Sequence, residues 1–462
     1  MHRPDPSLEV LTQAVVRYSV DRMRLDPPPL DGPRTPAELR AMAGHTIVPG
    51  GIGGLEALRV FADVLAPSCI SVDHPRFLSF VPGAPTEAAM LFDLVLGASN
   101  IYAGSWLEGA GAVFAENEAL RWIADLAGMP AEAGGVFVSG GTAGNLSALI
   151  AARWMWRHRA EGGHDRTRGL VITSSGAHSS VVQATRAMDV DAVTVPADER
   201  GKLRGEALRR AVDALDGADR ARLFAVVVTS GTTNLGVVDD LAATADLCRE
   251  IDVWMHVDGA YGGAGLLAPS VRHLYEGIED ADSFIVDPHK WLFAPFDSCA
   301  LLYRDPTVAR AAHTQHAEYL EVLQGADPTA TPWNPSDYAH HLSRRARGLP
   351  LWFSLATHGT DAYRDAVETT LHVTREAARL VQEAPHTELL VEPELSILLF
   401  RRLGWCEADY QRWSDAQLTA GSSFVVPTSW AGETLLRLCI VNPVTSVDDI
   451  AGIIASLADD PT

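Results

Sequence analysis

Short apolar runs alternate with longer stretches of helical periodicity along most of this chain. Between residues 86 and 303 the apolar runs fall at 134–138, 170–173, 190–195, 224–229, 254–258 and 283–286. Segments with helical spacing, such as 90–97 and 109–127, precede or separate them. Strands alternating with helices predict an α/β domain with a central, mostly parallel sheet. Before this region, residues 1–50 mix helical patches with breaks such as Pro27-Pro28-Pro29, and a helix is predicted over 55–65. The segment 74–83, ending in Pro82-Gly83, reads as a short extended piece closed by a turn. After Arg304 the rhythm changes. Residues 313–333 have weak periodicity and contain Gly325, Pro328 and Pro332, so part of this stretch reads as a loop. A long helix over 351–383, strand-like runs at 395–401 and 435–442, and a helix over 447–457 predict a smaller C-terminal α/β domain. The expected division is 1–85 as an N-terminal packing segment, 86–348 as the large domain and 349–462 as the small one.

Composition narrows the partners. The chain has 462 residues, enough for two or three domains. Its net charge of −22 argues against nucleic acid, whose backbone needs a basic surface. No apolar run is long enough to span a bilayer, so no membrane partner is expected. Met1-His2-Arg3-Pro4 does not begin a secretory signal. The five cysteines form no CxxC pair, so neither a disulfide framework nor a metal site is expected. The expected compartment is the cytoplasm.

Candidate chemistry gathers where strands end. The run 283–286 leads into Asp287-Pro288-His289-Lys290 and then apolar Trp291-Leu292-Phe293. Burial of Lys290 would lower its pKa, and an uncharged amine attacks aldehydes. The run 254–258 delivers Asp258, followed by the small residues Gly259 and Ala260. Ligands bind at such strand ends in α/β sheets. A glycine turn, Ser139-Gly140-Gly141-Thr142-Ala143-Gly144, joins a strand to a helix and suits an anion. It lacks the Gly-Lys-Ser/Thr ending of a nucleotide loop. His178 opens a helix, and Thr232-Thr233 follow another strand. Phe80 is a candidate wall of a pocket. Each feature alone also has a structural reading: a snorkelling lysine, a turn aspartate, a tight turn, a core histidine, a capping threonine or a packed edge strand. The ordered pair of a strand aspartate and a later His-Lys is what makes a lysine-linked pyridoxal phosphate site the sharper reading.

Four motifs carry a family resemblance: Asp287-Pro288-His289-Lys290-Trp291, His256-Val257-Asp258-Gly259-Ala260-Tyr261, Ala177-His178-Ser179-Ser180 and Ser230-Gly231-Thr232-Thr233. In order and spacing the chain resembles the group II pyridoxal phosphate-dependent amino acid decarboxylases, with likeness running from His74 to Leu438. The resemblance implies a fold type I, aspartate aminotransferase-like enzyme with pyridoxal 5'-phosphate as cofactor. It implies Lys290 as the lysine bonded to the cofactor aldehyde, Asp258 as the pyridinium partner and Ala260 under the ring. It implies His178 stacked on the ring, Thr233 near ring and substrate, and Thr142, Ala143 and His289 at the phosphate. Tyr319 is implied as a loop tyrosine that returns a proton to the substrate carbon. Phe80, Tyr102 and Trp106 are implied in the substrate pocket of a homodimer with shared active sites.

Asp287 departs from the family pattern, because Asn is frequent there and an acid near a phosphate would repel it unless turned away. Gly104 departs where aromatic-specific members carry an aromatic wall. Gly259 replaces a frequent alanine. The function implied is decarboxylation of an L-amino acid, with an aromatic substrate one option, to an amine and CO2. Two alternatives remain. One is decarboxylation coupled to oxidative deamination, giving an aldehyde. The other is a catalytically silent binding protein on the same fold.

Overall fold

The computed structural model describes residues 6–159, 167–318 and 333–459. At its centre is a seven-stranded sheet in the order β1-β7-β6-β5-β4-β2-β3. The strands are β1 (Gly134–Val138), β2 (Leu170–Ser174), β3 (Asp191–Val195), β4 (Leu223–Thr229), β5 (Trp254–Asp258), β6 (Ser283–Val286) and β7 (Cys299–Tyr303). All pairings are parallel except those of β7, which runs antiparallel to both β1 and β6. Strands β2, β4, β5, β6 and β7 are buried along their whole length, which explains why they read as continuous apolar runs rather than alternating ones.

Register places the chemistry. Thr229 pairs with Asp258, and Asp258 pairs with Ile285. The carboxyl ends of β4, β5 and β6 therefore lie side by side. β1 ends on the same edge of the sheet, because two antiparallel steps through β7 restore its direction. Its turn leads into the helix Gly141–Arg159. That helix must approach the sheet closely at Gly144, where an added Cβ would sit 2.9 Å from Ile285 Cγ2.

A second, four-stranded antiparallel sheet has the order β10-β11-β9-β8. It comprises β8 (Thr387–Val391), β9 (Ile397–Arg402), β10 (Pro427–Trp430) and β11 (Glu433–Cys439). Leu398, Phe400, Leu436 and Leu438 pack with Ile450 and Ile454 of the last helix, Val447–Ala455. The helix expected over 351–383 is two helices, Leu349–His358 and Thr360–Glu383. Gly359 separates them with φ +77°, a conformation that favours glycine and stops the first helix. The segment 74–80 runs beside the small sheet: Leu78 N donates to Phe424 O at 3.0 Å, and Cys439 N donates to Leu78 O at 2.8 Å. Arg344 is buried against Glu116 at 2.6 Å.

Candidate active site

A cavity of about 330 Å3 opens where β1, β4, β5 and β6 end. Lys290, Asp258, His178, Thr142, Ala143, Ala260, Thr233 and His289 all line it. Eight of the residues singled out in the sequence thus meet in one place. Tyr319 lies outside the described residues.

The glycine turn forms one wall. Helix Gly141–Arg159 begins there, so its first backbone N–H groups and its positive dipole end face the cavity. A Cβ at Gly141 would lie 3.1 Å from Ala260 Cβ and 3.3 Å from Asp287 Oδ2, so the turn has no room for a larger residue.

Lys290 sits one turn beyond β6. Its Nζ lies 2.9 Å from Asp287 Oδ2. The same carboxylate oxygen accepts from Gly141 N at 3.3 Å. The sequence reading expected burial to leave Lys290 with a lowered pKa. Burial does lower it, but the charge and hydrogen bond of Asp287 outweigh burial and raise it above the ordinary lysine value. Asp287 is turned toward the lysine, which gives this unexpected acid a partner. Its Oδ1 is buried without a hydrogen-bond partner among the described residues. His289 is held by its backbone neighbours, with Nδ1 2.6 Å from Ser298 O, and burial lowers its pKa.

Asp258 is buried at the end of β5. Asn145 Nδ2 donates to its Oδ2 at 2.9 Å, and Ala260 N donates to its Oδ1 at 3.1 Å. Sequence reasoning assigned no role to Asn145, whose place depends on the helix Gly141–Arg159 packing against the central sheet. His178 caps the helix Ser179–Ala187, with Nδ1 accepting from Ser180 N at 3.2 Å. Thr229 Oγ1 and Ser230 Oγ are buried at the β4 end without hydrogen-bond partners among the described residues. Thr233 O accepts from Arg437 Nε at 2.9 Å.

Phe80, Tyr102 and Trp106 do not line this cavity. Phe80 is 64% exposed with φ +54°, and its carbonyl accepts from Arg437. The Tyr102 hydroxyl donates to Leu342 O at 3.2 Å, and its ring fills the space beside Gly104. Trp106 starts the helix Trp106–Leu126. The cavity's aromatic lining is Tyr261, which a quoted motif contains, and Phe296, which no sequence motif had marked.

The lining suits a phosphorylated pyridine aldehyde. It offers an amine, a buried carboxylate for a ring cation, a helix N-terminus for an anion and the unpartnered Thr229 hydroxyl at one strand end. Residues 56–403 match the family model described as the pyridoxal-dependent decarboxylase conserved domain.

The chain belongs to this family. It is a group II decarboxylase, a carboxy-lyase that uses pyridoxal 5'-phosphate. The family chain is 30% identical over 396 residues to an aromatic-L-amino-acid decarboxylase of Bacillus atrophaeus, covering 84% of this chain and 81% of that one. It is 31% identical over 418 residues to an L-2,4-diaminobutyrate decarboxylase of Rhizobium meliloti, covering 88% and 82%. Its fold matches the crystal structure of Oryza sativa TDC with PLP and tryptamine, with a TM-score of 0.90 at 22% identity, covering 99% and 98% of the two chains. The aspartate aminotransferase-like α/β architecture expected from the sequence is the one found.

Proposed function

We propose that this decarboxylase removes the α-carboxylate of an aromatic L-amino acid and releases the amine. The observation that carries the reading is the convergence of Lys290, Asp258 and the Gly141 helix end on one cavity. Lys290 would bond the cofactor aldehyde, and Asp258 would hold the pyridine nitrogen protonated. Thr142, Ala143 and His289 would hold the phosphate, with Ala260 beneath the ring, His178 above it and Thr233 at its edge. When bound, the cofactor supplies an electron sink for the pair left by departing CO2. The residues supply orientation, exclude water and move protons. Tyr319 is proposed as the group that returns a proton to the substrate carbon.

The aromatic assignment is supported by Phe296, an aromatic wall 54% exposed at the cavity. The nearby Asp297 carboxylate is engaged by Arg347 Nε at 2.9 Å, which weakens a claim for a cationic substrate. A homodimer is proposed, because Leu91, Leu94, Val95, Leu107 and Phe114 leave apolar side chains exposed on two neighbouring helices. Phe80, Tyr102 and Trp106 would then reach a substrate across that interface. A cytoplasmic location is proposed on the absence of disulfides among the described residues.

A panel of L-amino acids, with CO2, amine, aldehyde and ammonia all measured, tests the proposal. Amine from tryptophan, tyrosine or phenylalanine is expected. Turnover of diaminobutyrate alone would overturn the aromatic assignment, and aldehyde with ammonia would overturn the simple decarboxylation. Lys290→Ala should abolish both turnover and the borohydride-reducible link to the cofactor.

A further inference from the structure

Behind the cavity runs a chain of hydrogen bonds whose donors and acceptors can be assigned one by one. Three members have no choice. Trp254 Nε1 and the backbone N of Ser180 only donate, and an ionised Asp258 only accepts. Asn145 Nδ2 lies 2.9 Å from Asp258 Oδ2 and 2.9 Å from Ser180 Oγ, so both amide hydrogens are used. Asn145 Oδ1 is therefore an acceptor. Its partner at 2.8 Å is His256 Nε2, which must carry a hydrogen.

The assignment then propagates both ways. Burial pushes the His256 pKa down to about 4, so the ring is neutral near pH 7 and its Nδ1 is bare. Ser283 Oγ, 2.8 Å away, donates to that Nδ1 and accepts from Trp254 Nε1 at 2.8 Å. In the other direction, Ser180 Oγ accepts from Asn145 and donates to His178 Nδ1 at 2.8 Å. The Ser180 backbone N donates to the same nitrogen at 3.2 Å. His178 Nδ1 is a double acceptor, so the ring's hydrogen sits on Nε2. Every group in the chain is satisfied in this one arrangement. Reversing the Asn145 amide would set its oxygen against the Asp258 carboxylate.

We propose that Asn145 is a positioning residue that holds Asp258 as an ionised acceptor and His178 as its Nε2–H tautomer. His178 then presents a hydrogen-bond donor from the side of its ring turned away from Ser180. A donor there suits a carboxylate or a carbanion being protonated, and it cannot serve as a base. The inference rests on reading this cavity as the cofactor site.

The test is ring-15N histidine spectroscopy on the enzyme loaded with pyridoxal phosphate. Two-bond 1H–15N correlations distinguish the tautomers, and His178→Gln and His256→Gln assign the signals. Both rings are expected to carry hydrogen on Nε2 and none on Nδ1. A hydrogen on Nδ1 of either ring overturns the proposal. In Asn145→Leu, His256 Nε2 loses its acceptor, while the rotatable Ser283 hydroxyl can turn to accept instead of donate, so His256 should switch to the Nδ1–H form. Asp258 loses a charge-assisted bond, and the dissociation constant for pyridoxal phosphate should rise roughly ten- to a hundredfold. An unchanged His256 tautomer, or unchanged cofactor affinity, overturns the role of Asn145. Should this variant not fold, the wild-type spectra alone decide. The spectra require no turnover, so a wrong substrate leaves them untouched. A wrong cofactor site appears separately, as failure of the wild type to bind pyridoxal phosphate.

Discussion

The Lys290 amine lies 2.9 Å from the Asp287 carboxylate, at the mouth of a helix end that also donates Gly141 N to the same oxygen. This contact raises the pKa of the lysine before any cofactor arrives. Burial favours the neutral amine, and Asp287 reverses that preference. In Asp287→Asn, burial should win. The pH midpoint for labelling of Lys290 by an amine-reactive reagent, in cofactor-free protein, is expected to fall. The chain has only one other lysine, Lys202, which lies 3.8 Å from Glu394 and serves as the internal reference. Peptide mass spectrometry resolves the two sites. An unmoved midpoint would show that Asp287 does not control this amine.

Asp258→Ala should separate chemistry from folding. The variant strands two donors, Asn145 Nδ2 and Ala260 N. Leaving buried donors unpaired costs about 1–3 kcal/mol. Loss of the buried charge that we propose faces the ring nitrogen should cost far more in rate, on the order of a hundredfold or greater. Thermal melting and kcat, measured on one preparation, give both numbers. A near-normal kcat would remove Asp258 from the reaction.

Much of this site was legible because strand ends carry it. Asp258 closes a largely apolar strand and Lys290 comes shortly after another, and parallel sheets place such ends on one edge. The register Thr229–Asp258–Ile285 was not legible, since it depends on which strands become neighbours. For that reason neither Asn145 nor His256 was given a role, though both are polar residues inside largely apolar elements. The antiparallel β7 gave no local signal distinguishing it from its parallel neighbours. Strands β8 and β10 are short and partly exposed, and they lack a clean alternation. The stop at Gly359 was present in the sequence and was outweighed by the helical periodicity around it.

Asp239 makes stability depend on pH. It is buried, its carboxylate accepts from Leu203 N and Thr229 N at 2.8 Å each, and burial nevertheless pushes its pKa up to about 7. In the unfolded chain an aspartate ionises near pH 4. Between these values folding takes up a proton, so this group's contribution to stability falls as pH rises from about 4 to about 7. Asp239→Asn removes the titration and also replaces one acceptor by a donor. The variant should melt below the wild type at pH 5, and the gap should narrow by pH 8. Melting curves at the two pH values check the sign. A gap that widens with pH would contradict it.

The frame of the site rests on one buried ion pair. Arg344 and Glu116 form an ion pair whose side chains are 0% and 2% exposed. Two nitrogens of Arg344 meet the two oxygens of Glu116, at 2.6 and 2.8 Å. Arg344 also donates to Ala103 O at 2.7 Å and Phe137 O at 3.2 Å, and Gly348 N donates to Glu116 at 2.8 Å. The pair therefore ties the helix Trp106–Leu126 to β1, immediately before the glycine turn. Desolvating two charges is costly, so the pair as a whole adds little net stability over apolar residues of similar size. Breaking it is another matter, because one charge stays buried without its partner. Glu116→Leu and Arg344→Met should each cost about 3–5 kcal/mol. The double variant Glu116→Leu/Arg344→Met should cost less than the sum of the single changes, by at least about 1 kcal/mol. Denaturant unfolding of the three variants closes the cycle. Strict additivity would mean that the carbonyl contacts of Arg344, and not its charge pairing, hold β1 in place.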